Sequence, residues 1–415
     1  MPPIYVFEDS QVERLFPLTY TRAAFELRSG NLTLLDRLRK LPQPIAGLLV
    51  RPALAEIVRH RITDIPVNPP LSTKDGLLLI NARCLLLKST LWNVPEFDSV
   101  GLSQGSIAWM CLSPKLAGRV DLSKLQDPRT LESLFEEVRR GSASSIMINH
   151  PWDLFEHQRA AIVEDFEALG PAKDGIQMTG SHLLNPSNIH LAQDVKIWPG
   201  AVLDAQNGPI IVGQGTQIRA NSVITGPVAI GEHCVIRNMA DIREETSLGP
   251  NCRVGGEIIG SIFLGNSNKQ HHGFVGQSII CEWVNLGAGT TTSNVKNTYG
   301  SVRMTLNGKD EPTGRQFLGS LIADHVKLGI GTYLSTGSVV GFASHVVVPR
   351  PPRVVPSFAW LTEKGMARAD FEKLEEIAGI AMKRRGVDFT TIDHALFVHI
   401  ASVWSQAEQY PWPDH

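Results

Sequence analysis

The sequence predicts three successive regions: an α/β domain with a mostly parallel sheet, a left-handed parallel β-helix of hexapeptide repeats, and a short C-terminal helical segment. Two observations predict this architecture. Aliphatic residues recur at every sixth position in the middle of the chain, and strand-like and helix-like segments alternate before them. We place the boundaries at 1–175, 176–350 and 351–415, because 415 residues exceed what one ordinary core accommodates.

The first region shows the alternation of strands and helices that is typical of an α/β domain. Short apolar runs predict buried strands at Ile4–Phe7, Leu48–Val50, Leu77–Ile80 and Ser145–Ile148. Helical periodicity predicts helices at Asn31–Lys40, Ala53–Arg61 and Asp153–Leu169. Such alternation favours a mostly parallel sheet, and Pro171–Gly175 is a plausible linker to the next region.

The middle region is defined by an aliphatic residue at every sixth position. Eight consecutive repeats run through Val212, Ile218, Ile224, Ile230, Ile236, Ile242, Leu248 and Val254. The period resumes at Ile322, Leu328, Leu334, Val340 and Val346. A helix needs a period of 3.6 and an ordinary strand a period of 2, so six fits neither. It indicates a triangular coil in which each aliphatic side chain points inward and stacks on its equivalents.

Two interruptions of the repeat and two C-terminal helices complete the predicted architecture. Asn268–Gly273 breaks the six-residue phase, and Asn294–Gln316 is a long polar excursion. Such interruptions are where repeat proteins usually carry their function. Helices with an apolar face are predicted at Asp370–Arg385 and Ile392–Trp404, and we expect them to cap the solenoid or to pack on another subunit.

The composition excludes several classes of function. Hydrophobic residues make up 43% of the chain and charged residues 19%, and the formal net charge is −2. With no long basic run, we expect no nucleic-acid partner and no anionic membrane surface as a partner. No apolar stretch has membrane-spanning length, no signal peptide is recognisable, and the five cysteines form no CxxC pair. We therefore expect a cytoplasmic protein.

Part of the repeat region resembles a known enzyme family. The segments 271–276, 283–290 and 293–294 read HHGFVG, WVNLGAGT and SN. They are similar to the acetyltransferase half of the bifunctional enzyme that makes UDP-N-acetylglucosamine. The resemblance implies acetyl transfer from acetyl-CoA to an amino-sugar phosphate or nucleotide sugar. It also implies a homotrimer with the acyl site between chains.

The same resemblance assigns roles to particular residues. His271 stands where the family has its base, and the adjacent His272 is the alternate. The substrate contacts that it implies are Arg243, Phe274, Asn285 and Asn294. Lys269 is added because it lies near the same loops, where it is expected to meet the acidic groups of a nucleotide or coenzyme A. A neutral imidazole suits removal of a proton from an attacking amine. Backbone N–H groups of the turn Gly287-Ala288-Gly289-Thr290 suit a developing oxyanion in the coenzyme A site.

The N-terminal region resembles sugar-phosphate nucleotidyltransferases in a degraded form. Arg14–Thr19 followed by Asn31–Leu35 is similar to their strand–loop–helix entrance. Acidic Glu8–Glu13 stands in place of their glycine-rich loop, and Asn81–Arg83 in place of the Gly-Asp that holds magnesium. The candidates that this resemblance leaves are Arg14 and Arg22 for a nucleotide and Asp153 for a metal ion, with Mg²⁺ needed if nucleotidyl transfer occurs.

Taken together, the chain resembles sugar nucleotidyltransferases that carry a hexapeptide-repeat C-terminal domain, and two alternatives to acyl transfer stay open. One is a nucleotidyltransferase that forms an NDP-sugar from an NTP and a sugar-1-phosphate and uses the β-helix for oligomerisation. The other is a non-catalytic regulator that binds a sugar nucleotide. A zinc site of the kind found in solenoid carbonic anhydrases is disfavoured, because the histidines lack the required spacing.

Overall fold

The computed structural model describes residues 2–88, 95–119 and 137–410. They form two compact units. The first unit comprises the described residues of Met1–Leu27 and Leu32–Pro151, and the second comprises Arg28–Asn31 and the chain from Trp152 onward. The helices that follow Pro151 thus belong to the compact unit that contains the repeats.

The first unit is built on a six-stranded sheet that is mostly parallel, as predicted. Its strands are β1 Ile4–Phe7, β2 Ile45–Leu49, β3 Leu77–Asn81, β4 Ser99–Ser103, β5 Ser106–Leu112 and β6 Arg139–Ser142, in the order β2-β1-β3-β5-β4-β6. The β1–β2, β1–β3 and β4–β6 pairs are parallel, whereas β5 pairs antiparallel with β3 and β4. Ile146–Met147 pairs separately with Cys84–Leu85.

The helices of the α/β region are shorter than their sequence patterns predicted. The first unit has α-helices at Leu34–Leu38, Ala55–Arg61 and Pro114–Ala117, with 3-10 turns at Ser10–Leu15, Ala24–Glu26 and Pro52–Leu54. Thr33 caps the first helix by accepting a hydrogen bond from Asp36 N, so the helix begins at Leu34, three residues later than predicted. The helix predicted over 153–169 is divided into Asp153–Glu156 and Gln158–Leu169.

The second unit is a β-solenoid with three walls of parallel strands. Wall A consists of Ala172–Lys173, Ile189–Leu191, Ile210–Val212, Val228–Ile230, Thr246–Leu248, Ile262–Phe263, Ile279–Ile280, Leu321–Ile322, Val339–Val340 and Val354–Val355. Wall B consists of Ile176–Gln177, Lys196–Ile197, Gln217–Ile218, Val235–Ile236, Arg253–Val254, Asn268–Lys269, Asn285–Leu286, Lys327–Leu328, His345–Val346, Ala359–Thr362 and the antiparallel Gly365–Arg368. Wall C consists of His182–Leu184, Val202–Asp204, Val223–Thr225, Asp241–Ile242, Glu257–Ile259 and Phe274–Gly276, followed by the pair Thr291–Thr292 and Tyr333–Leu334.

The six-residue period corresponds to the inward-facing position of each wall, so the central prediction is confirmed. Val212, Ile218 and Ile224 lie on walls A, B and C of one coil and are fully buried. All thirteen predicted aliphatic positions belong to one continuous core. Stacking removes these side chains from water and supplies the main favourable free energy of the fold.

The two interruptions of the repeat differ in structure. At the first, 15 positions separate Val254 from its wall B partner Lys269, against 18 between Ile236 and Val254. The phase break is therefore a shortened coil and not an ejected loop. The second interruption leaves the coil and contains a hairpin that the sequence did not reveal, in which Arg303–Leu306 pairs with Lys309–Pro312.

The helices of the second unit cover parts of the solenoid. Ile162 of the helix Gln158–Leu169 packs on Ile211 and Ala229 at the outer face of wall A. The two C-terminal helices, which we label α7 and α8, span Phe371–Lys383 and Thr391–Glu408. Phe397 of α8 packs against Phe342 in the late coils, with ring centroids 4.8 Å apart. Within the described residues, no helix is both long and apolar enough to span a membrane.

Candidate active site

Most of the residues singled out in the repeat region lie at or beside one edge of the solenoid. We call this edge corner B–C; it is the column of turns joining walls B and C, at residues 219–222, 237–240, 255–256, 270–273, 287–290 and 329–332. His271 and His272 are exposed in it. Neither imidazole has a hydrogen-bond partner within the part of the chain that the structure describes, so both are accessible to a ligand or a second chain.

The turn Gly287–Thr290 lies directly on the histidine turn in the next coil. Gly289 N donates to His272 O at 3.1 Å, Gly287 N donates to Leu328 O at 3.0 Å, and Thr290 N donates to Gly287 O at 3.2 Å. Among the described residues, none accepts a hydrogen bond from Ala288 N. This amide is therefore the N–H group of the turn that is free to stabilise an oxyanion.

A glycine is required where the two turns meet. Gly273 has φ +117°, and a Cβ at this position would lie 2.1 Å from Thr290 O. Backbone atoms cannot withdraw as a flexible side chain can, and the φ value is one that L side chains rarely adopt. The close contact between the histidine turn and the Gly287–Thr290 turn thus depends on Gly273.

Lys269 lies inside the solenoid and not at the surface where the sequence-based interpretation expected it to meet a ligand. It takes the inward position of wall B between Val254 and Leu286 and is fully buried. Its ammonium group donates to Gly255 O at 3.2 Å, to His272 O at 3.1 Å and to His271 O. Burial lowers the pKa of Lys269 to about 8. Lys269 therefore links the core of the solenoid to the histidine turn by hydrogen bonds to its backbone carbonyl groups.

Two of the other expected substrate contacts flank corner B–C. Asn285 is exposed on the outer face of wall B, two residues before Gly287. Phe274 begins the wall C strand that follows the histidines and is partly buried, and its backbone N donates to Thr291 Oγ1 at 3.4 Å. Both positions adjoin the histidine turn, one on each wall.

Arg243 and Asn294 lie on the far side of wall C, where it meets wall A. Arg243 forms ion pairs with Glu257 at 3.3 Å and Glu244 at 3.5 Å. Asn294 donates to the side chain of Gln277. Both side chains are thus engaged within the protein, and a ligand phosphate at Arg243 would compete with two carboxylates.

In the first unit, the segment that replaces the glycine-rich loop is occupied by internal ion pairs. Arg83 Nη2 donates to Asp9 Oδ2 at 2.6 Å and Arg83 Nε to Asp9 Oδ1 at 3.0 Å, and both side chains are buried. Asn81 Nδ2 donates to the same Asp9 carboxylate at 2.8 Å. Beside them, Arg51 Nε pairs with the buried Glu8 at 3.1 Å. The two carboxylates are therefore neutralised by the protein itself.

Magnesium does not fit the residues at this place. The family's metal-binding Gly-Asp is replaced by a segment whose Arg83 guanidinium already binds Asp9. Asp153, the other candidate ligand, opens a short helix in the second unit. Among the described residues, no group of three or more His, Cys, Asp or Glu side chains is arranged to hold a metal ion.

The two arginines expected to bind a nucleotide differ in their surroundings. Arg14 is exposed at the end of the turn Ser10–Leu15. Arg22 is buried and donates to Leu18 O at 3.0 Å. Arg14 is accessible to a ligand, whereas Arg22 holds the backbone of its own loop.

Comparisons with known proteins agree with both resemblances. Residues 4–173 match a family model described as sugar nucleotidyl transferase. A bifunctional sugar-1-phosphate nucleotidylyltransferase/acetyltransferase of Sulfurisphaera tokodaii is 35% identical over 136 residues, covering 32% of this chain and 34% of that protein. The bifunctional protein GlmU of Methanococcus aeolicus is 32% identical over 244 residues, covering 57% and 51%. That of Methanococcus maripaludis is 41% identical over 136 residues, covering 32% and 33%.

These matches confirm the resemblance to sugar nucleotidyltransferases and to bifunctional nucleotidyltransferase/acetyltransferases. The chain spans between about a third and a half of the length of the three relatives. A solved structure described as an acetyltransferase of Bacillus cereus is 11% identical with a TM-score of 0.21, covering 54% of this chain and 91% of that one. That likeness is too weak to add to the fold described above.

Removing one partner of the buried Arg83–Asp9 pair should destabilise the first unit strongly. In Arg83→Met, the Asp9 carboxylate stays buried without a cation, which we expect to cost about 3–5 kcal/mol. Hydrogen exchange of the β1 and β3 amides should accelerate, and the double variant Asp9→Asn/Arg83→Met should recover much of the protection. Arg119→Met is the control because its pair with Glu137 is exposed. If Arg83→Met and Arg119→Met exchange their β1 and β3 amides at the same rate, the assigned role of Arg83 is contradicted.

Lys269 should make the stability of the second unit depend on pH. Its folded pKa of about 8 lies below the unfolded value of about 10.4, so the cost of burying the charge is fully present below pH 8. Between about pH 8 and 10.4 the unfolded state binds more protons, and stability rises with pH. The melting temperature of Lys269→Met relative to wild type should therefore fall by several degrees from pH 7 to pH 10.

The exposed Lys364→Met is the matched control, because it reports the general effect of losing one positive charge. A difference between Lys269→Met and wild type that stays constant over this pH range would show that Lys269 does not titrate inside the solenoid.

Proposed function

We propose that the second unit transfers an acetyl group from acetyl-CoA to the amine of an amino-sugar phosphate or nucleotide sugar. The observation that carries this proposal is the stacking of the exposed His271–His272 turn on the Gly287–Thr290 turn, where Ala288 N is free. The two turns offer a proton acceptor and an N–H donor at one edge of the solenoid. The name of the Sulfurisphaera tokodaii relative, which includes acetyltransferase, supports the same reaction.

The reaction needs the chain to move one proton and to stabilise one negative charge. As the amine nitrogen attacks the thioester carbonyl carbon, His271 accepts a proton from that nitrogen, and Ala288 N donates to the oxygen that becomes negative. Collapse of the tetrahedral intermediate breaks the C–S bond. The imidazolium returns its proton to the departing thiolate, so the products are the acetylated amine and free coenzyme A.

The first unit, in this proposal, binds a nucleotide or sugar phosphate and does not transfer a nucleotidyl group. The family match supports ligand binding. The Arg83–Asp9 pair disfavours turnover, because a triphosphate and its magnesium would have to displace a buried, charge-assisted contact. We place the protein in the cytoplasm, since all five cysteines are buried as free thiols.

Replacing His271 should abolish most of the acetyl transfer. We expect His271→Ala to release coenzyme A about 10²- to 10⁴-fold more slowly than wild type in assays with amino-sugar phosphates, because the amine loses its proton acceptor. His272→Ala is the matched control and should retain most of the activity. If the two results are exchanged, His272 is the base; if both variants turn over like wild type, neither imidazole accepts the proton.

We also propose that the chain assembles as a homotrimer through wall C and corner B–C. Exposed apolar side chains cluster along this side: Val223, Met239, Ile330, Tyr333 and Val347. Ile330 is 81% and Met239 76% exposed, and such a row on a solenoid face is typical of a subunit contact. Packing a second copy there would enclose the histidine turn and create a cleft for the thioester.

Charge introduced into this row should disrupt the assembly. Ile330→Glu and Met239→Glu are expected to reduce the mass measured by sedimentation equilibrium from that of three chains to that of one, because unpaired carboxylates would be buried. Acetyl transfer should fall in parallel. Val398→Glu, on the exposed side of α8, is the control and should stay trimeric. A wild-type chain that sediments as a monomer at micromolar concentration would overturn this proposal.

A further inference from the structure

A cavity of about 230 Å³ lies between the outer face of wall B and the C-terminal helix α7. Its walls include Trp283 and Asn285 from one coil, Lys327 from the next, and Ile377, Arg384 and Arg385 from α7 and the residues just after it. Of these residues, only Asn285 was expected from the sequence to contact a substrate. The cavity brings together parts of the chain that are far apart in sequence.

The cations around the cavity have unused donors. Lys327 Nζ donates to Trp283 O at 2.7 Å and His325 O at 2.9 Å, which leaves one of its three N–H groups for another acceptor. Arg385 Nη2 donates to Asn268 Oδ1 at 2.7 Å, whereas its Nε is buried without a partner. Arg384 also lines the cavity and is exposed. Within the described chain, none of the three forms an ion pair with a carboxylate.

Three basic side chains line this cavity, whereas no Asp or Glu is among the described residues that line it. Burial lowers the pKa of Lys327 to about 7, and the charge of Asp324 acts in the opposite direction. Arg253 is close enough that its charge, after burial, lowers the pKa of Arg385. Repulsion among these groups is relieved when an anion binds among them, so the arrangement favours a negatively charged ligand.

The chemistry and size of the cavity define which anion fits. Lysine and arginine donors with an asparagine amide are the groups that bind phosphate oxygens, and Trp283 and Ile377 offer apolar contact to the adjoining carbons. A volume of about 230 Å³ is below the ~300–1,000 Å³ of sites that enclose a whole small molecule. It suits one phosphate or diphosphate group with the atoms next to it.

We propose that this cavity binds a phosphate group of a small-molecule ligand, held by Lys327, Arg384 and Arg385. Asn285 lines the cavity and stands two residues before Gly287, so the bound group would lie within ~10 Å of the Gly287–Thr290 turn along the strand. Assigning the ligand as a substrate of acyl transfer rests on the function proposed above. The phosphate could then belong either to a sugar phosphate or to coenzyme A.

Titration calorimetry with inorganic pyrophosphate at constant ionic strength tests the site. We expect Lys327→Gln and Arg385→Gln to weaken binding at least tenfold. Lys383→Gln should bind within twofold of wild type, because Lys383 precedes Arg384 in the chain but is exposed and paired with Asp388. Arg384→Gln should also weaken binding, and because Arg384 is exposed this variant leaves the backbone contacts of Lys327 in place. The proposal is overturned if wild type does not bind pyrophosphate, or if all four variants bind it with the affinity of wild type.

Competition experiments separate the two sources of the phosphate. Displacement of pyrophosphate by coenzyme A but not by pantetheine, which carries no phosphate, assigns the cavity to the coenzyme. Displacement by a hexosamine-1-phosphate but not by the hexosamine assigns it to the acceptor, and displacement by neither overturns the link to acyl transfer. His271→Ala should bind pyrophosphate like wild type, so loss of acetyl transfer and loss of the phosphate site are measured independently.

Discussion

The parallel stacking of coils is the constraint on which the second unit depends. Each coil buries one aliphatic side chain per wall against its equivalents above and below, and the hydrogen bonds between coils run along the same axis. Because the inward positions are fixed, the outward positions and the corners also form columns. The stacking of coils alone therefore brings together residues of different coils, such as His272 and Gly289.

Beside the histidines, a lysine, Lys269, occupies an inward position of wall B that is aliphatic in the adjacent coils. A lysine at an inward position needs acceptors for its ammonium group, and the shortened coil supplies the carbonyl groups of Gly255, His271 and His272. A buried, hydrogen-bonded charge is less favourable than an aliphatic side chain of the same volume. The solenoid thus gives up stability at the turn where the sequence pattern is also broken, which is typical of a site shaped by function.

The sequence was sufficient for features that depend on local periodicity and insufficient for those that depend on long-range electrostatics. The period of six identified the inward residues, because each coil repeats the same environment. The partners of Asp9 and Arg385 were not predictable, since they lie 74 and 117 positions away, at Arg83 and Asn268. The interior position of Lys269 was also missed, because a residue-type pattern treats lysine as a surface residue.

The two units differ in what their charged groups are free to do. In the first unit, Arg51 and Arg83 form ion pairs with the buried Glu8 and Asp9, so these two carboxylates are already neutralised. Around the cavity beneath α7, Lys327 and Arg385 donate to neutral carbonyl and amide oxygens and, among the described residues, form no ion pair with a carboxylate. Affinity for an anionic ligand follows uncompensated charge and not the number of basic residues. This difference supports the proposed phosphate site beside α7 and disfavours one in the unit whose sequence resembles a nucleotidyltransferase.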